Sequence, residues 1–244
     1  NNDNNMIALV IPCYNEENRI DISEYKRFLR DNNDIFMLFI DDGSTDNTVQ
    51  RLEEITQLEN SKYIILNKNS GKAEAVRLGV IELLKYDYDY IGFWDADLAT
   101  PLIEIKYFSD IFMKNKSILG IIGSRMVKPD SNIQYKISRR YIGRLLTSIL
   151  YLGPLKNIRV YDSQCGAKIF AKEICDLIFQ SSFKTDWLFD VEILMRINNK
   201  FSLSDIIYEY PLKEWVHIPG SKIAFHDISS ILKEIIKLFR LKNI

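Results

Sequence analysis

Two aspartates one residue apart, Asp95 and Asp97, directly follow the apolar run Tyr90–Trp94. The run predicts a buried strand, and charge at its end is costly unless a cation or hydrogen bonds compensate it. In open α/β sheets, ligands bind at the carboxyl ends of the strands. Carboxylate oxygens suit Mg²⁺ or Mn²⁺, which complete their shells with phosphate oxygens and water. The pair therefore indicates a metal site for a phosphate-bearing ligand, although a solvated turn gives the same spacing.

A second pair of aspartates, Asp41 and Asp42, ends another apolar run and precedes a helical pattern. A carboxylate at this place can accept hydrogen bonds from a nucleobase or from ribose hydroxyls. The alternative is that Asp42, Ser44 or Asp46 caps the next helix, because short polar side chains are favoured there. Capping does not explain two adjacent acids, so a nucleotide-binding role stays open beside it.

Lys72 follows Gly71 where a third helical pattern begins. The free N–H groups of a helix start, together with a lysine, can bind a phosphate or a ribose. The stretch is not a Walker A loop, because the first glycine and the Lys-Ser/Thr pair are missing. It predicts a nucleotide contact or only a helix start.

These acids and this lysine lie between elements that alternate along the first half of the chain. Short apolar runs alternate with helical patterns, which predicts an α/β fold with a mostly parallel central sheet and helices on both faces. The predicted strands are Ile7–Ile11, Phe36–Ile40, Tyr63–Leu66, Tyr90–Trp94 and Leu119–Gly123. The predicted helices are Asp21–Arg30, Thr45–Leu58, Lys72–Lys85 and Leu102–Met113, the last started by Pro101. The loops after the strands should meet at one edge of the sheet.

Composition is consistent with one α/β domain and a short appendage. The 244 residues are 47% hydrophobic, enough for a large core, and the net charge of −1 gives no reason to expect nucleic acid as a partner. We predict a polar tail at residues 1–5, the main domain at 6–226 and an amphipathic C-terminal helix at 227–244. The three cysteines lack metal-ligand spacing, which favours a reducing, cytoplasmic compartment.

Two segments combine basic and apolar residues. Residues 131–161 contain no acidic residue, and Arg139 and Arg140 are candidates to bind phosphate while the following apolar side chains meet lipid. The alternative is a solvated basic helix packed on the core. In the C-terminal helix, we expect one face to carry the apolar residues Ile228, Ile231, Leu232, Ile235, Ile236 and Phe239. The longest apolar stretch, Leu145–Leu155, is too short to cross a bilayer.

Five motifs occur in an order that resembles family 2 glycosyltransferases. They are Ile11–Glu17, Asp41–Asp46, Gly71-Lys72 with Ala75 and Gly79, Asp95–Pro101 and Gly123–Arg125. Three later motifs are similar to polyprenyl-phosphate hexosyltransferases, most of all the dolichyl-phosphate β-glucosyltransferases: Asp162–Lys168, Trp187–Leu194 and Trp215–Lys222. The resemblance covers nearly the whole chain. It implies the Rossmann-like A-type fold that binds nucleotide sugars.

The resemblance implies a role for each matching residue. Asp95 and Asp97 are the implied catalytic and metal-binding residues, with Mg²⁺ or Mn²⁺ as cofactor. Nucleotide-sugar binding is implied for Pro12, Tyr14, Glu16, Asp41, Asp42, Lys72, Ala96, Arg125, Ser221 and Lys222. Acceptor binding is implied for Arg139, Arg140, Gln164, Lys168 and Trp187. Mannosyl relatives often carry glutamine where this chain has Ala99, so the metal shell should rely more on water or phosphate.

The same resemblance implies an inverting, metal-dependent hexosyltransferase. Its expected donor is a nucleotide-diphosphate sugar, UDP-glucose, and its acceptor a polyprenyl phosphate of the dolichyl or undecaprenyl type. A phosphate monoester has a second pKa of about 6 and needs no general base at neutral pH. A saccharide hydroxyl acceptor, the alternative, needs one, and Asp190 is the first candidate with Glu192 beside it. GDP-mannose is the alternative donor.

The expected location is peripheral, at the cytoplasmic face of a membrane, without the N-terminal anchor of the eukaryotic glucosyl enzymes. Oligomeric state stays open. A nucleotide-sugar sensor without turnover is a different-class alternative, and a nucleotidyltransferase is disfavoured because the loop after the first strand lacks glycine. Cys165 is expected to be a small buried residue. Trp187 and Trp215 are either sugar-facing or core aromatics.

Overall fold

The computed structural model describes residues 6–134, 156, 158, 160–218 and 228–241. The predicted polar tail and most of the acid-free basic segment lie outside this part of the chain. Of the helices that the structure describes, none is long and apolar enough to span a bilayer.

Seven of the nine described strands form the central sheet. The strands are β1 Ile7–Cys13, β2 Ile35–Asp41, β3 Ser61–Ile65, β4 Tyr90–Trp94, β5 Gly120–Ser124, β6 Asn132–Gln134, β7 Ala167–Ala171, β8 Ile207–Pro211 and β9 Glu214–Val216. The sheet order is β3-β2-β1-β4-β7-β5-β8, and β6 pairs with β9 separately. All five predicted strands form, with ends within two residues of the prediction.

Eight helices are described. They are α1 Ile22–Asp31, α2 Thr48–Ile55, α3 Lys72–Leu83, α4 Glu104–Lys114, α5 Lys172–Phe179, α6 Phe189–Asn198, α7 Leu203–Ile206 and α8 Ile228–Arg240. The prediction that Pro101 starts α4 is wrong. The α-helix begins at Glu104. Before it, the Glu104 N–H donates to the Pro101 carbonyl at 3.1 Å and the Ile105 N–H to the Leu102 carbonyl at 3.1 Å, so residues 101–103 form a tighter turn.

The helices cover both faces of the sheet, as the alternation predicts. Successive strand residues point to opposite faces, so each strand contributes to two cores. Helices α1, α2 and α4 close one core, to which β1 and β4 contribute Leu9 and Trp94. Helices α3, α5, α6 and α8 close the other, which contains Val10 and Phe93. The predicted mostly parallel sheet with helices on both faces is confirmed.

Strand β7 joins the second half of the chain to the first. It lies between β4 and β5 and runs antiparallel to both, while the described pairs β1–β2, β1–β4, β2–β3 and β5–β8 are parallel. Its first residue, Ala167, pairs with Trp94, the last residue of β4. The segment before β7 therefore lies beside Asp95 at the carboxyl edge of the sheet.

Candidate active site

The loops after β1 and β2 are tied to each other by side-chain hydrogen bonds. Asn15 Oδ1 accepts from the Thr45 N–H at 2.8 Å, and the Asn15 N–H donates to Ser44 Oγ at 2.9 Å. The Glu16 N–H donates to Thr48 Oγ1 at 2.8 Å. Asn15 has φ +50°, in the left-handed region that asparagine tolerates. These bonds set the positions of the residues in both loops that are predicted to bind the nucleotide sugar. They also hold the residues before α2, which begins at Thr48 and not at the predicted Thr45.

Asp42 connects the loop after β2 to the start of α3. Its Oδ1 accepts from the Ser70 N–H at 2.7 Å and its Oδ2 from the Gly71 N–H at 2.9 Å. Burial raises the pKa of this carboxyl, while the two hydrogen bonds oppose the shift. The capping alternative is wrong for Asp42, because its carboxylate holds the loop before α3 rather than the first turn of α2.

Asp41 is buried beside Asp42, and one of its carboxylate oxygens receives no hydrogen bond from the described residues. Its Oδ2 accepts from the Ser44 N–H at 3.2 Å, and no described residue donates a hydrogen bond to its buried Oδ1. Buried carboxylate oxygens are rarely left unsatisfied in native structures. This oxygen can accept a hydrogen bond from an N–H or O–H group of a ligand.

The loop that carries Asp95 and Asp97 is held by buried donors. Tyr25 Oη donates to the Ala96 carbonyl at 3.1 Å, and the Asp95 N–H donates to the Gly166 carbonyl at 3.0 Å. A Cβ atom at Gly166 would lie 1.9 Å from Asp95 Oδ2, so a larger residue there would displace the Asp95 carboxylate. The loop is thus fixed from both sides of the sheet edge.

Each of these two acids pairs with a basic side chain. Lys72 Nζ lies 2.5 Å from Asp95 Oδ1, and Arg19 donates to Asp97 Oδ2. Burial and the Asp95 charge raise the pKa of Asp97. Burial opposes the charge on Lys72, but the carboxylates of Asp95 and Asp190 raise its pKa above the ordinary value. Acids and bases from three loops therefore form one cluster.

Arg19 is a site residue that was not predicted from the sequence. It also pairs with Glu16 at 3.3 Å, so it connects the loop after β1 to Asp97. A lone arginine at the end of a polar loop carries no distinctive pattern. Arg19 lies near Asp95 and Asp97 only because β1 pairs with β4 in the sheet.

Lys168 and Asp190 form an enclosed ion pair close to this cluster. Lys168 Nζ lies 2.5 Å from Asp190 Oδ1 and 2.5 Å from the Cys165 carbonyl oxygen, and the residue is 0% exposed. Burial raises the pKa of Asp190, against the opposing charges of Lys168 and Lys72. The acceptor role predicted for Lys168 does not agree with this position, because its ammonium group is enclosed by the protein.

The two candidate general bases are already engaged. Asp190 pairs with Lys168, and buried Glu192 accepts from Arg196 Nη2 at 2.7 Å and from the Lys184 N–H at 2.9 Å. Cys165 is buried, and burial raises the pKa of its thiol to about 12, as expected of a small core residue rather than a nucleophile.

Arg125 binds Asp162 through two parallel hydrogen bonds. The distances are 2.6 Å from Nε to Oδ2 and 2.7 Å from Nη2 to Oδ1. Burial opposes ionisation of Asp162, but the adjacent guanidinium lowers its pKa. The same guanidinium lies 5.5 Å from the centre of the Trp215 ring. Trp215 is buried and packs in the core with β4 and α4, which favours the core alternative for this tryptophan.

Gln164 and Trp187 lie in the two segments that flank β7 and α5. The side-chain Nε2 of Gln164 is buried and has no hydrogen-bond partner among the described residues. Trp187 is partly buried and packs against the core that α3 and α6 help to close. Arg139, Arg140, Ser221 and Lys222 lie outside the described residues, so their predicted roles stay predictions.

Comparison with known proteins identifies the family. The model of the family described as Glycosyl transferase family 2 matches residues 8–180. The chain belongs to glycosyl transferase family 2. The dolichyl-phosphate beta-glucosyltransferase of Dictyostelium discoideum is 30% identical, over 97% of this chain and 74% of its own. The enzyme of that name from Saccharomyces cerevisiae is 29% identical, over 89% of this chain and 69% of its own.

The fold of this glycosyl transferase is also found in solved structures of other proteins. A glucosyl-3-phosphoglycerate synthase of Mycobacterium tuberculosis, in complex with Mn²⁺, uridine diphosphate and phosphoglyceric acid, has a TM-score of 0.74. It is 17% identical, and the match covers 98% of this chain and 78% of that one. The resemblance given by the sequence motifs, and the fold that it implied, are confirmed.

The acids of this family 2 glycosyltransferase suit a divalent ion as ligands. Among the described residues, no three His, Cys, Asp or Glu side chains converge in the manner of a protein-built metal site. Mg²⁺ is usually bound through one or two carboxylates, with phosphate oxygens and water completing the shell. Asp95 and Asp97 meet that requirement, because both are carboxylates of a single fixed loop at the carboxyl edge of the sheet.

Proposed function

We propose that this protein transfers glucose from UDP-glucose to a polyprenyl phosphate, with inversion at the anomeric carbon. The main support is the meeting of Asp41, Asp42, Asp95 and Asp97 with two basic side chains at one edge of the sheet. The names of the relatives support glucose as the sugar and a lipid phosphate as the acceptor. Mg²⁺ or Mn²⁺ is the proposed cofactor, and Mn²⁺ in the structural relative supports it.

The donor is proposed to bind across the tied loops after β1, β2 and β4. Asp41 Oδ1 accepts a hydrogen bond from the nucleoside, and Pro12 and Tyr14, which are half-buried beside it, contact the nucleoside ring. Lys72 and Arg19 provide positive charge near the diphosphate, because they already face the two acids. Asp95 and Asp97 would hold the divalent ion, which would supply positive charge to offset the charge of the departing diphosphate.

A phosphate acceptor agrees with the engaged state of the candidate bases. Its oxygen is already anionic at neutral pH, so the protein has only to orient it and exclude water. The anomeric C–O bond to UDP breaks as the bond to the acceptor oxygen forms on the opposite face. Asp190 then acts by holding Lys168 and by its charge near Lys72, and not as a base. Arg139 and Arg140 remain the proposed acceptor contacts, and Ser221 and Lys222 further donor contacts.

Transfer of radioactive glucose tests the proposal. The protein with labelled UDP-glucose, Mn²⁺ or Mg²⁺ and undecaprenyl or dolichyl phosphate is expected to yield a labelled product that extracts into organic solvent. Chelation with EDTA should stop the reaction. Absence of lipid product with every nucleotide sugar offered would overturn the proposal. Label found instead on an added saccharide would favour the hydroxyl acceptor.

We further propose that the protein acts at the cytoplasmic face of a membrane without spanning it, since its proposed acceptor is embedded there. Fractionation of cells that express the tagged chain tests this location. The protein should sediment with membranes and be released by detergent. Recovery in the unsedimented fraction at low salt would contradict peripheral attachment.

A further inference from the structure

Helix α8 divides its apolar residues between two surfaces. Ile235 and Leu238 are buried in the core that also contains α3 and α6. Leu232, Ile236 and Phe239 remain 49%, 52% and 40% exposed. The single apolar face expected from the sequence is therefore split. Because residues three and four apart are neighbours on a helix, the three exposed side chains form one continuous strip, which we call the outer stripe.

Basic side chains border the outer stripe. Lys233, Lys237 and Arg240 are exposed. At about 100° per residue, the order around the helix is the buried face, the outer stripe and then these basic residues. The acidic residue of α8, Glu234, is turned toward the protein. An apolar strip beside basic side chains is typical of helices that lie in the interface of an anionic membrane.

Glu234 fixes which side of α8 faces outward. Its Oε1 accepts from the Asp186 N–H at 2.9 Å, and its Oε2 accepts from the N–H groups of Trp187 at 3.1 Å and Leu188 at 2.9 Å. Asp186 Oδ1 accepts from the Ala73 N–H at 3.2 Å, at the start of α3. Turning α8 to bury the outer stripe would break these bonds. The orientation of the stripe is thereby linked to the loop that Asp42 holds.

The geometry points to α8 as a membrane-contacting surface, with the outer stripe placed among lipid headgroups and the basic side chains beside lipid phosphates. The membrane inference deepens the proposed function and rests on it for its purpose, since a polyprenyl phosphate is reached from a membrane surface. A second copy of the chain fits the same face less well. A two-fold contact would bring the basic rows of the two copies together.

Vesicle sedimentation measures this binding without any turnover. The full chain is expected to sediment with phosphatidylcholine vesicles that contain phosphatidylglycerol, and much less with pure phosphatidylcholine. The variant Ile236→Ser/Phe239→Ser should bind the anionic vesicles about tenfold or more weakly, and Lys233→Gln/Lys237→Gln by a similar factor. Ile103→Ser is the matched control, because Ile103 is 46% exposed on another helix end and its variant should bind like the unaltered chain.

Two results would overturn the membrane inference. One is unchanged binding to anionic vesicles in both double variants, with thermal unfolding that shows an intact fold. The other is a dimer, detected by light scattering, that the Ile236→Ser/Phe239→Ser variant abolishes.

Glucose transfer to a short-chain polyprenyl phosphate in detergent separates this inference from the proposed function. The double variants should keep that activity. An unaltered chain that binds vesicles through α8 but transfers no glucose contradicts the proposed function alone. Transfer in detergent together with vesicle binding that is insensitive to the α8 variants contradicts the membrane inference alone.

Discussion

Asp97 is the residue on which the metal assignment can be tested most directly. Asp97→Asn keeps the shape of the side chain and removes its charge. Loss of even an outer partner of a metal ligand weakens metal binding by about 10–100-fold. The factor by which Mn²⁺ increases the affinity for UDP-glucose should therefore fall by about 100-fold or more. Calorimetric titration with and without Mn²⁺ measures this change.

Asp21→Asn is the matched control for that substitution. Asp21 is the N-cap of α1 and accepts from the Glu24 N–H at 3.0 Å, and asparagine caps a helix equally well. This variant should titrate like the unaltered protein. Retained Mn²⁺ enhancement in Asp97→Asn would refute its assignment as a ligand.

The Lys168–Asp190 pair makes a second prediction at the residue scale. Lys168→Met leaves the buried Asp190 carboxylate without its main partner, which should lower the free energy of unfolding by about 3–5 kcal/mol. Lys168→Met/Asp190→Leu removes both charges and should recover most of that loss. Urea denaturation measures both variants. A double variant as unstable as the single one would show that apolar packing around Lys168, and not charge, is responsible.

The positions of single residues could be predicted from the sequence only in part. Asp95 and Asp97 were predicted to lie with Asp41 and Asp42, because parallel strands bring the loops at their carboxyl ends together. Lys168 was placed at the acceptor on its motif alone, whereas the antiparallel course of β7 turns its side chain inward to Asp190. No local pattern reports that a strand from the distant second half enters the sheet between β4 and β5.

At the scale of elements, the contact between α8 and the start of α6 can be tested through Glu234. Glu234→Leu leaves three backbone N–H groups without their acceptor, and should lower the free energy of unfolding by about 1–3 kcal/mol. Glu234→Gln keeps one acceptor oxygen and should lose less. Urea denaturation and hydrogen exchange at residues 186–188 measure the effect. Equal amide protection in all three proteins would mean that α8 does not hold this segment.

In the first half of the chain, the elements themselves follow from simple patterns. Tyr90–Trp94 was predicted with its observed ends, because five consecutive apolar or glycine residues are bounded by acids. Helix α4 begins later than predicted, since Pro101 opens a turn of i to i+3 hydrogen bonds that precedes the α-helix. Strands β6, β7, β8 and β9 were not predicted. Strands β6, β8 and β9 are partly exposed and lack a clear period, and β7 is buried but carries Lys168 within a short run.

For the molecule as a whole, buried Glu104 predicts a measurable dependence of stability on pH. Its Oε1 accepts from the N–H groups of Lys213 and Glu214 at 2.8 Å and 2.9 Å, and burial raises the pKa of its carboxyl. The folded chain thus keeps the proton at pH values where the unfolded chain has lost it. This group therefore adds stability as the pH falls from neutral through its folded pKa.

Glu104→Gln tests the sign of this effect. The amide keeps an acceptor oxygen for the two N–H groups and cannot titrate. Between pH 7 and about pH 5, the unaltered protein should gain stability relative to the variant. Urea denaturation at several pH values measures the difference. A difference that is constant over this range, or that grows in the variant's favour on acidification, would contradict the raised pKa.

The insertion of β7 between β4 and β5 has a consequence for synthesis. Until Ala171 has left the ribosome, neither β4 nor β5 has its neighbour on that side, and both carry unpaired N–H and carbonyl groups along a buried apolar strand. Such edges are sites of aggregation. The nascent chain must therefore carry an open, unpaired sheet edge from the emergence of Trp94 to that of Ala171, and this interval is when it most needs a chaperone.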